Sequence, residues 1–283
     1  MKILVTGSNG YIGKHLCKML HGKYELHGID LDDESHTGYL SKYFPINIDE
    51  KFQLTDEYDC VIHLAALVRV GESVTQRSRY EKTNVVGTRN VLNGVNYKNF
   101  VFGSTGAAAT PTSPYALTKL VAEGEVEEVC INSGVPYTMF RFYNVTGTDG
   151  FPATNPDGLF YKLDEAIDTG KFSIYGGDYE TRDGTAIRDY VHVNEICNSL
   201  EKAITAPSNS IENLGHGKGY TVKEIVDTFK KVNKVDFEVI IEDRREGDPP
   251  KNVLDSVSDY MEELYTLEDY LKINWQAILS MLK

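Results

Sequence analysis

The segment TGSNGYIG, residues 6–13, follows the apolar run KILVT and opens YIGKHLCKMLHG, where Ile12, Leu16, Met19 and Leu20 recur at helical spacing. Its glycines stand at 7, 10 and 13. A strand that turns directly into a helix here needs a tight turn, a close backbone approach and helix–strand packing that no side chain obstructs. The same geometry points free N–H groups of the helix N-terminus at an anion, so it suits a pyrophosphate. An isolated glycine pattern carries little weight. This one is followed by YELHGID, a second strand ending on Asp30, which is placed to accept a hydrogen bond from a ribose 2′-hydroxyl and to repel a 2′-phosphate. The turn therefore predicts a dinucleotide site, with NAD favoured over NADP.

Beyond the turn the pattern alternates. DCVIHLAA and NFVFGS read as strands, separated by SRYEKTNVVGTRNVLNGV, a helix of about five turns. SPYALTKLVAEGEVEEVCIN reads as the next helix, with Leu117, Leu120 and Val121 on one side, and PYTMFRFYNV as the strand after it. This order predicts an α/β fold, a Rossmann-type doubly wound parallel sheet with helices on both faces. After residue 145 the chain becomes a Gly, Pro, Asp and Thr-rich loop, TGTDGFPATNPDG, followed by shorter elements. Two domains are expected: residues 1–145, binding the dinucleotide and carrying the Tyr115–Lys119 helix, and 146–283, a smaller α/β part for the substrate. Such folds bind ligands at the carboxyl ends of the parallel strands.

A net charge of −13 excludes non-specific nucleic-acid binding, which needs a basic surface, but leaves room for a polyanionic small ligand held by local Arg or Lys. Cys17, Cys60, Cys130 and Cys197 are scattered, with neither CxxC nor metal-ligand spacing, so they read as small apolar residues of a reducing compartment and no metal is expected. No apolar run reaches about 18 residues, so neither secretion nor membrane spanning is indicated and a cytoplasmic protein is expected.

Tyr115 and Lys119 are four apart on the SPYALTK helix and so share a face. A phenol ordinarily titrates near 10, and a nearby ammonium favours its phenolate, giving a usable base near neutral pH. With 18 tyrosines in the chain, that spacing alone decides nothing.

Company decides it. GxxGxxG together with Tyr-x-x-x-Lys resembles the extended short-chain dehydrogenase/reductase family. VIHLAALVRVGESV, TNVVGT, RFYNVTG, IYGGDYETRDGTAIRDYVHV and RREGD are similar to its UDP-glucose 4-epimerase branch, over residues 1 to about 255. The resemblance implies an NAD-dependent UDP-hexose 4-epimerase. Tyr115 would take the sugar 4-OH proton while NAD takes the C4 hydride, and Lys119 would also hold the nicotinamide ribose. The 4-keto sugar would then turn and receive the hydride on its other face. Thr105, or failing that Ser104, would bridge O4 and the phenol.

The resemblance also implies cofactor contacts from Gly7, Gly10, Tyr11, Ile12 and Gly13 in the turn, and from Asp30, Asn47 and Ile48. Leu64, Ala65, Ala66, Asn84 and Tyr143 complete that set. For a UDP-sugar it implies diphosphate contacts from Arg188 and Arg245, a ribose contact from Asp248, and contacts from Asn144 and Asn252. A homodimer through helices near 78–95 and 114–132 is expected on the same ground.

The chain departs from the branch's pattern in several places. Only GAAATPTSP separates Thr105 from Tyr115, shorter than the usual loop over the sugar. Val68 replaces a common Lys, Asn47 a common Asp, and Thr83 a common Asn; GLF at 158–160 stands where an Asn-Leu pair reads uracil. Asn252 is intermediate in bulk at a position that sorts plain from N-acetylated sugars, which leaves that choice open. A dehydratase would need an Asp-Glu pair after the hydroxyl residue, and Thr105-Gly106-Ala107 lacks it. A decarboxylase of the same fold is less easily excluded. A non-catalytic NAD-binding regulator would have no need of the tyrosine, the lysine and both arginines together. His63 and His192 read as strand and core histidines.

Overall fold

The structure, a computed structural model, describes residues 1–152, 155–245 and 248–272. The chain divides into two compact units, the first comprising Met1–Phe142 with Cys197–Asn213, the second Tyr143–Ile196 with the described residues from Leu214 onward.

The first unit is built on a seven-stranded sheet. Its members are β1 (Lys2–Thr6), β2 (Glu25–Asp30), β3 (Lys42–Pro45), β5 (Cys60–His63), β7 (Phe100–Thr105), β8 (Tyr137–Phe142) and β12 (Ile211–Leu214), in the order β12-β8-β7-β5-β1-β2-β3. The ladders from β3 across to β8 are all parallel. A parallel sheet is covered on both faces, and consecutive residues Ile3, Leu4 and Val5, like Phe100, Val101 and Phe102, are accordingly all fully buried. Two short strands, β4 (Glu57–Tyr58) and β6 (Asn96–Tyr97), pair separately.

The helices of this unit are α1 (Tyr11–Leu20), α2 (Val70–Thr75), α3 (Arg77–Glu81), α4 (Gly87–Gly94) and α5 (Pro114–Ser133). A π-helical turn at Lys82–Val86 joins α3 to α4 with helical backbone throughout, so the five-turn helix expected from sequence is continuous but locally widened. α5 begins where Ser113 accepts a hydrogen bond from the Ala116 N–H at 3.2 Å and Pro114 occupies the first turn. Leu117, Leu120 and Val121 share a side as their spacing predicts, and that side is exposed. The buried side carries Lys119 and Glu123 beside Ala116, Ala122 and Val126.

The second unit centres on β11 (Ile187–His192). It pairs with β9 (Asn144–Thr146) and β15 (Lys251–Asn252) in parallel and with β13 (Gly219–Thr221) antiparallel. A parallel pair, β10 (Lys171–Tyr175) with β14 (Glu238–Glu242), packs with α6 (Leu159–Thr169), α8 (Val222–Asn233) and α9 (Leu267–Leu271) around Leu163, Phe172, Ile174, Ile225 and Phe229. α7 (Val193–Thr205) spans the boundary between the two sets of residues. The division falls at Phe142, three residues before the break expected from the loop composition, because the apolar run through Asn144 is two strands: β8 pairs with β7, and β9 with β11. Nothing in the sequence signalled the return of 197–213 to the first unit.

Candidate active site

The glycine turn is set by backbone contacts. Gly7 has φ +72°, and a Cβ there would lie 2.7 Å from the Ala65 nitrogen. A Cβ on Gly13 would lie 2.1 Å from the Gly7 carbonyl oxygen, a collision between backbone and side chain that no rotamer relieves. α1 starts behind Gly10 without a capping side chain or an acidic residue in its first turn. Its leading N–H groups and positive dipole end thus suit the pyrophosphate of a dinucleotide.

Asp30 ends β2 partly exposed, its two oxygens accepting from the Asn9 and Leu31 N–H groups, each at 2.8 Å. Each oxygen retains a second lone pair for a ribose hydroxyl. The loop after β5 is fastened to β1, with Leu64 N–H donating to the Thr6 carbonyl at 3.1 Å and Ala65 N–H to Thr6 Oγ1 at 3.2 Å. Leu64, Ala65 and Ala66 remain partly exposed beside Gly7, as do Tyr11 and Ile12.

Other expected cofactor contacts are used differently. Asn84 is fully buried; its Oδ1 accepts from Leu67 N–H at 2.8 Å, and its Nδ2 donates to the Leu67 carbonyl and to Thr118 Oγ1, both at 3.0 Å. Its side-chain amide thereby fastens the loop after β5 to α5. Asn47 is exposed and caps its own turn by accepting from Asp49 N–H at 3.0 Å. The Ile48 side chain is buried toward Gly87, while its carbonyl accepts from Asn90 Nδ2 at 2.7 Å.

Tyr115 sits one residue into α5, beside Thr105 at the end of β7, whose Oγ1 accepts from the Ala107 N–H at 3.3 Å. Burial pushes the phenol up to about 12, and the neighbouring Thr105 hydroxyl acts in the opposite direction. Lys119, 3% exposed, is pushed down to about 7 by burial, with Glu123 opposing. Its Nζ lies 4.0 Å from the centroid of Phe102, over a ring face that offsets part of the lost hydration. Ser104 is engaged elsewhere: its hydroxyl donates to Glu123 Oε1 at 2.5 Å. His63 is fully buried between Thr6 Oγ1 at 2.6 Å and Thr88 Oγ1 at 3.0 Å, and burial lowers it to about 3, so it stays neutral and is no general base near pH 7.

Glu123 is a residue that the motifs did not reveal. It lies one turn beyond Lys119 on the same buried face and takes a two-pronged ion pair from Arg141 on β8, at 2.9 Å from Nε and 2.6 Å from Nη2. The spacing Lys119-x-x-x-Glu123 was the available signal. Removing one partner of a buried pair strands the other charge. Glu123→Ala is therefore expected to cost about 3–5 kcal/mol in urea denaturation.

In the second unit the residues expected to bind the substrate have partners within the protein. Arg188 on β11 pairs with Asp248 through Nη2, and its Nη1 donates to the Ile187 and Pro249 carbonyls at 2.9 and 3.0 Å. The Arg245 guanidinium stacks 3.8 Å above Tyr175. Asn144 Nδ2 donates to the Asp189 carbonyl at 2.8 Å, and Asn252 is the exposed β15 partner of Arg188. Tyr143 heads this unit, its N–H donating to the Leu214 carbonyl at 3.1 Å. The buried Asp189 carboxylate accepts from the N–H groups of His216, Gly217 and Leu254, fastening two segments to β11. His192 is buried and stacks on Tyr265.

The profile of the NAD dependent epimerase/dehydratase family matches residues 3–215. The chain belongs to that family. Its relatives include the UDP-glucose 4-epimerase of Lactobacillus helveticus, 31% identical with 90% of this chain and 89% of that protein covered. The UDP-glucose 4-epimerase of Halalkalibacterium halodurans is 32% identical, covering 90% of this chain and 87% of the relative. Among solved structures, UDP-glucose 4-epimerase of Thermotoga maritima with UDP-glucose superposes with a TM-score of 0.84 at 28% identity, covering 100% of both chains. UDP-glucose 4-epimerase of Brucella ovis in complex with NAD superposes at 0.82 with 26% identity, covering 95% of this chain and 96% of that one.

Proposed function

We propose that the protein is an NAD-dependent UDP-hexose 4-epimerase interconverting UDP-glucose and UDP-galactose. The observation that carries the reading is Tyr115 beside Thr105 at the end of β7 with Lys119 buried one turn on, in a chain whose curated relatives are UDP-glucose 4-epimerases. NAD, when bound, supplies a reversible hydride acceptor. Gly7, Gly10, Gly13 and Asp30 would hold it, and Tyr11, Ile12 and residues 64–66 would line it, with Asn47, Ile48 and Tyr143 as further contacts.

Tyr115 takes the proton of the sugar 4-hydroxyl onto its phenol oxygen and returns it after the sugar has turned. The Thr105 hydroxyl carries the hydrogen bond between the two. Lys119 supplies the positive charge that favours the phenolate. Arg188 and Arg245 hold the diphosphate, Asp248 reaches the uridine ribose, and Asn144 and Asn252 border the sugar. No carboxyl side chain lies between Thr105 and Tyr115, so the acid–base pair at C5 and C6 that a dehydratase uses has no counterpart there. Incubation of the purified protein with UDP-galactose is expected to yield UDP-glucose. NAD binding without any epimer, from plain or N-acetylated substrate, would refute the reading.

The reading includes a homodimer and a reducing, cytoplasmic setting. Leu117, Leu120 and Val121 form an exposed apolar stripe on α5, and Val86 is exposed on the preceding helix; such a stripe suits helix-on-helix packing between two copies. The four cysteines are buried free thiols, and no helix among the described residues is long and apolar enough to cross a membrane. The double variant Leu117→Glu, Val121→Glu is expected to sediment as a monomer at micromolar concentration where the unaltered chain sediments as a dimer. Equal sedimentation of the two would place any interface elsewhere.

A further inference from the structure

The fourth residue of the TGSNGYIG segment, Asn9, has no role in the mechanism yet makes a concentrated set of contacts. Its backbone N–H donates to Asp30 Oδ2 at 2.8 Å. Its Nδ2 donates to Asp32 Oδ2 and the Glu34 carbonyl, both at 3.0 Å, and reaches Tyr43 Oη at 3.2 Å. Its Oδ1 accepts from His36 N–H at 2.9 Å. Asn9 is only 8% exposed, although every segment it holds lies at the surface. Tyr43, on β3, closes the arrangement by donating to the Asp32 carbonyl at 2.7 Å.

Three observations give these contacts a purpose. The segment they fasten, Leu31 to His36, lines an open hollow of about 560 Å³ formed by Leu31, Asp32, Asp33, Glu34 and His36. That hollow begins at the residue directly after Asp30, the ribose ligand of the proposed NAD site. The Asp30 and Asp32 carboxylates are both bound by the one residue Asn9, which holds two like charges close together. Consistent with this, the Tyr43 phenol is pushed up to about 12, chiefly by burial and next by Asp30 and Asp32. A chain without this latch would let residues 32–36 swing and the second carboxylate move away from its neighbour, since like charges repel.

We infer that Asn9 is a positioning residue for cofactor selectivity: it locks residues 32–36 against the glycine turn so that Asp32 acts with Asp30 to reject a 2′-phosphorylated dinucleotide. Asp32 is then a second specificity-determining carboxylate, and Asn9 acts through it. The inference rests on the NAD reading above.

The test is equilibrium binding of NAD and of NADP to the full-length chain by titration calorimetry, for the unaltered protein, Asn9→Ala, Asp32→Asn and the double variant. Asp32→Asn, on an exposed loop, is expected to narrow the NAD-to-NADP affinity ratio by roughly three- to fivefold, the scale of one partly exposed charge pair. Asn9→Ala is expected to narrow it similarly, and the double variant to narrow it no further than Asp32→Asn alone, because the two act as one unit. If Asn9→Ala weakens both dinucleotides equally with the ratio unchanged, or if Asp32→Asn leaves the ratio unchanged, the inference is overturned while the NAD reading stands. If the unaltered chain binds neither dinucleotide, the NAD reading itself falls.

Discussion

Tyr115→Phe is expected to lower turnover of a UDP-hexose by about 10²–10⁴-fold, the usual contribution of a positioned general base. The fold should not change. The substitution removes one oxygen from a partly exposed ring whose edge-on packing against Tyr80, with centroids 6.5 Å apart, is kept. What is lost is the phenol oxygen beside Thr105. Dinucleotide affinity, set by the turn after β1 and by Asp30, should stay within a few-fold of the unaltered protein. A stopped assay on UDP-galactose, run beside NAD titration, separates these expectations. Retained turnover would assign the proton transfer to another group; the buried, neutral His63 is an unsuitable one, since burial already lowers it to about 3. Loss of NAD binding together with turnover would mean that Tyr115 builds the cofactor site rather than performing acid–base chemistry.

Gly13→Ala should act on stability and cofactor together. Its added Cβ would meet the Gly7 carbonyl oxygen at 2.1 Å and the Ser8 Cα at 2.9 Å, both parts of the main chain. Main chain cannot yield by changing rotamer, so α1 must move away from the turn. Overpacking of this kind costs about 1–3 kcal/mol, and occasionally more. For a chain of this size that corresponds to a fall in melting temperature of roughly 2–4 °C per kcal/mol. Displacing α1 also withdraws the N–H groups aimed at the pyrophosphate, so NAD affinity should fall by at least tenfold, beyond what the thermal shift explains. Thermal melting with and without NAD tests both parts. A variant that melts normally and still gains stability from NAD would show that the turn tolerates the methyl group, contrary to the close approach described above.

Much of the dinucleotide half was legible because it is local. The strand–glycine–helix succession, Asp30 at the end of β2 and the Tyr115–Lys119 spacing each lie within a few turns of chain, where period and steric rules apply directly. The internal bonds of Asn84 were not legible, for the opposite reason. Nothing in TNVVGT shows that its amide is consumed by Leu67 and Thr118, which lie 17 and 34 residues away. Thr105 was preferred to Ser104 by its place on the strand, but only the position of Glu123 on α5 shows that the Ser104 hydroxyl is already engaged. The division of the chain at Phe142 escaped notice because two strands of different sheets run on in one apolar stretch.

By itself the sequence determined the chemistry available to this protein: a turn that only glycines can form, a carboxylate for a ribose, a tyrosine and lysine on one helical face, and arginines within distinctive motifs. These are properties of residue type and short spacing. Tertiary structure alone decided how that chemistry is held. It paired Arg188 with Asp248 across 60 residues, buried Glu123 against Arg141, and turned the apolar stripe of α5 outward. It also gave Asn9 a segment to fasten 23 to 34 residues away. Burial and pairing depend on which distant segments the sheet order brings together, and that order is not written in any single stretch of the chain.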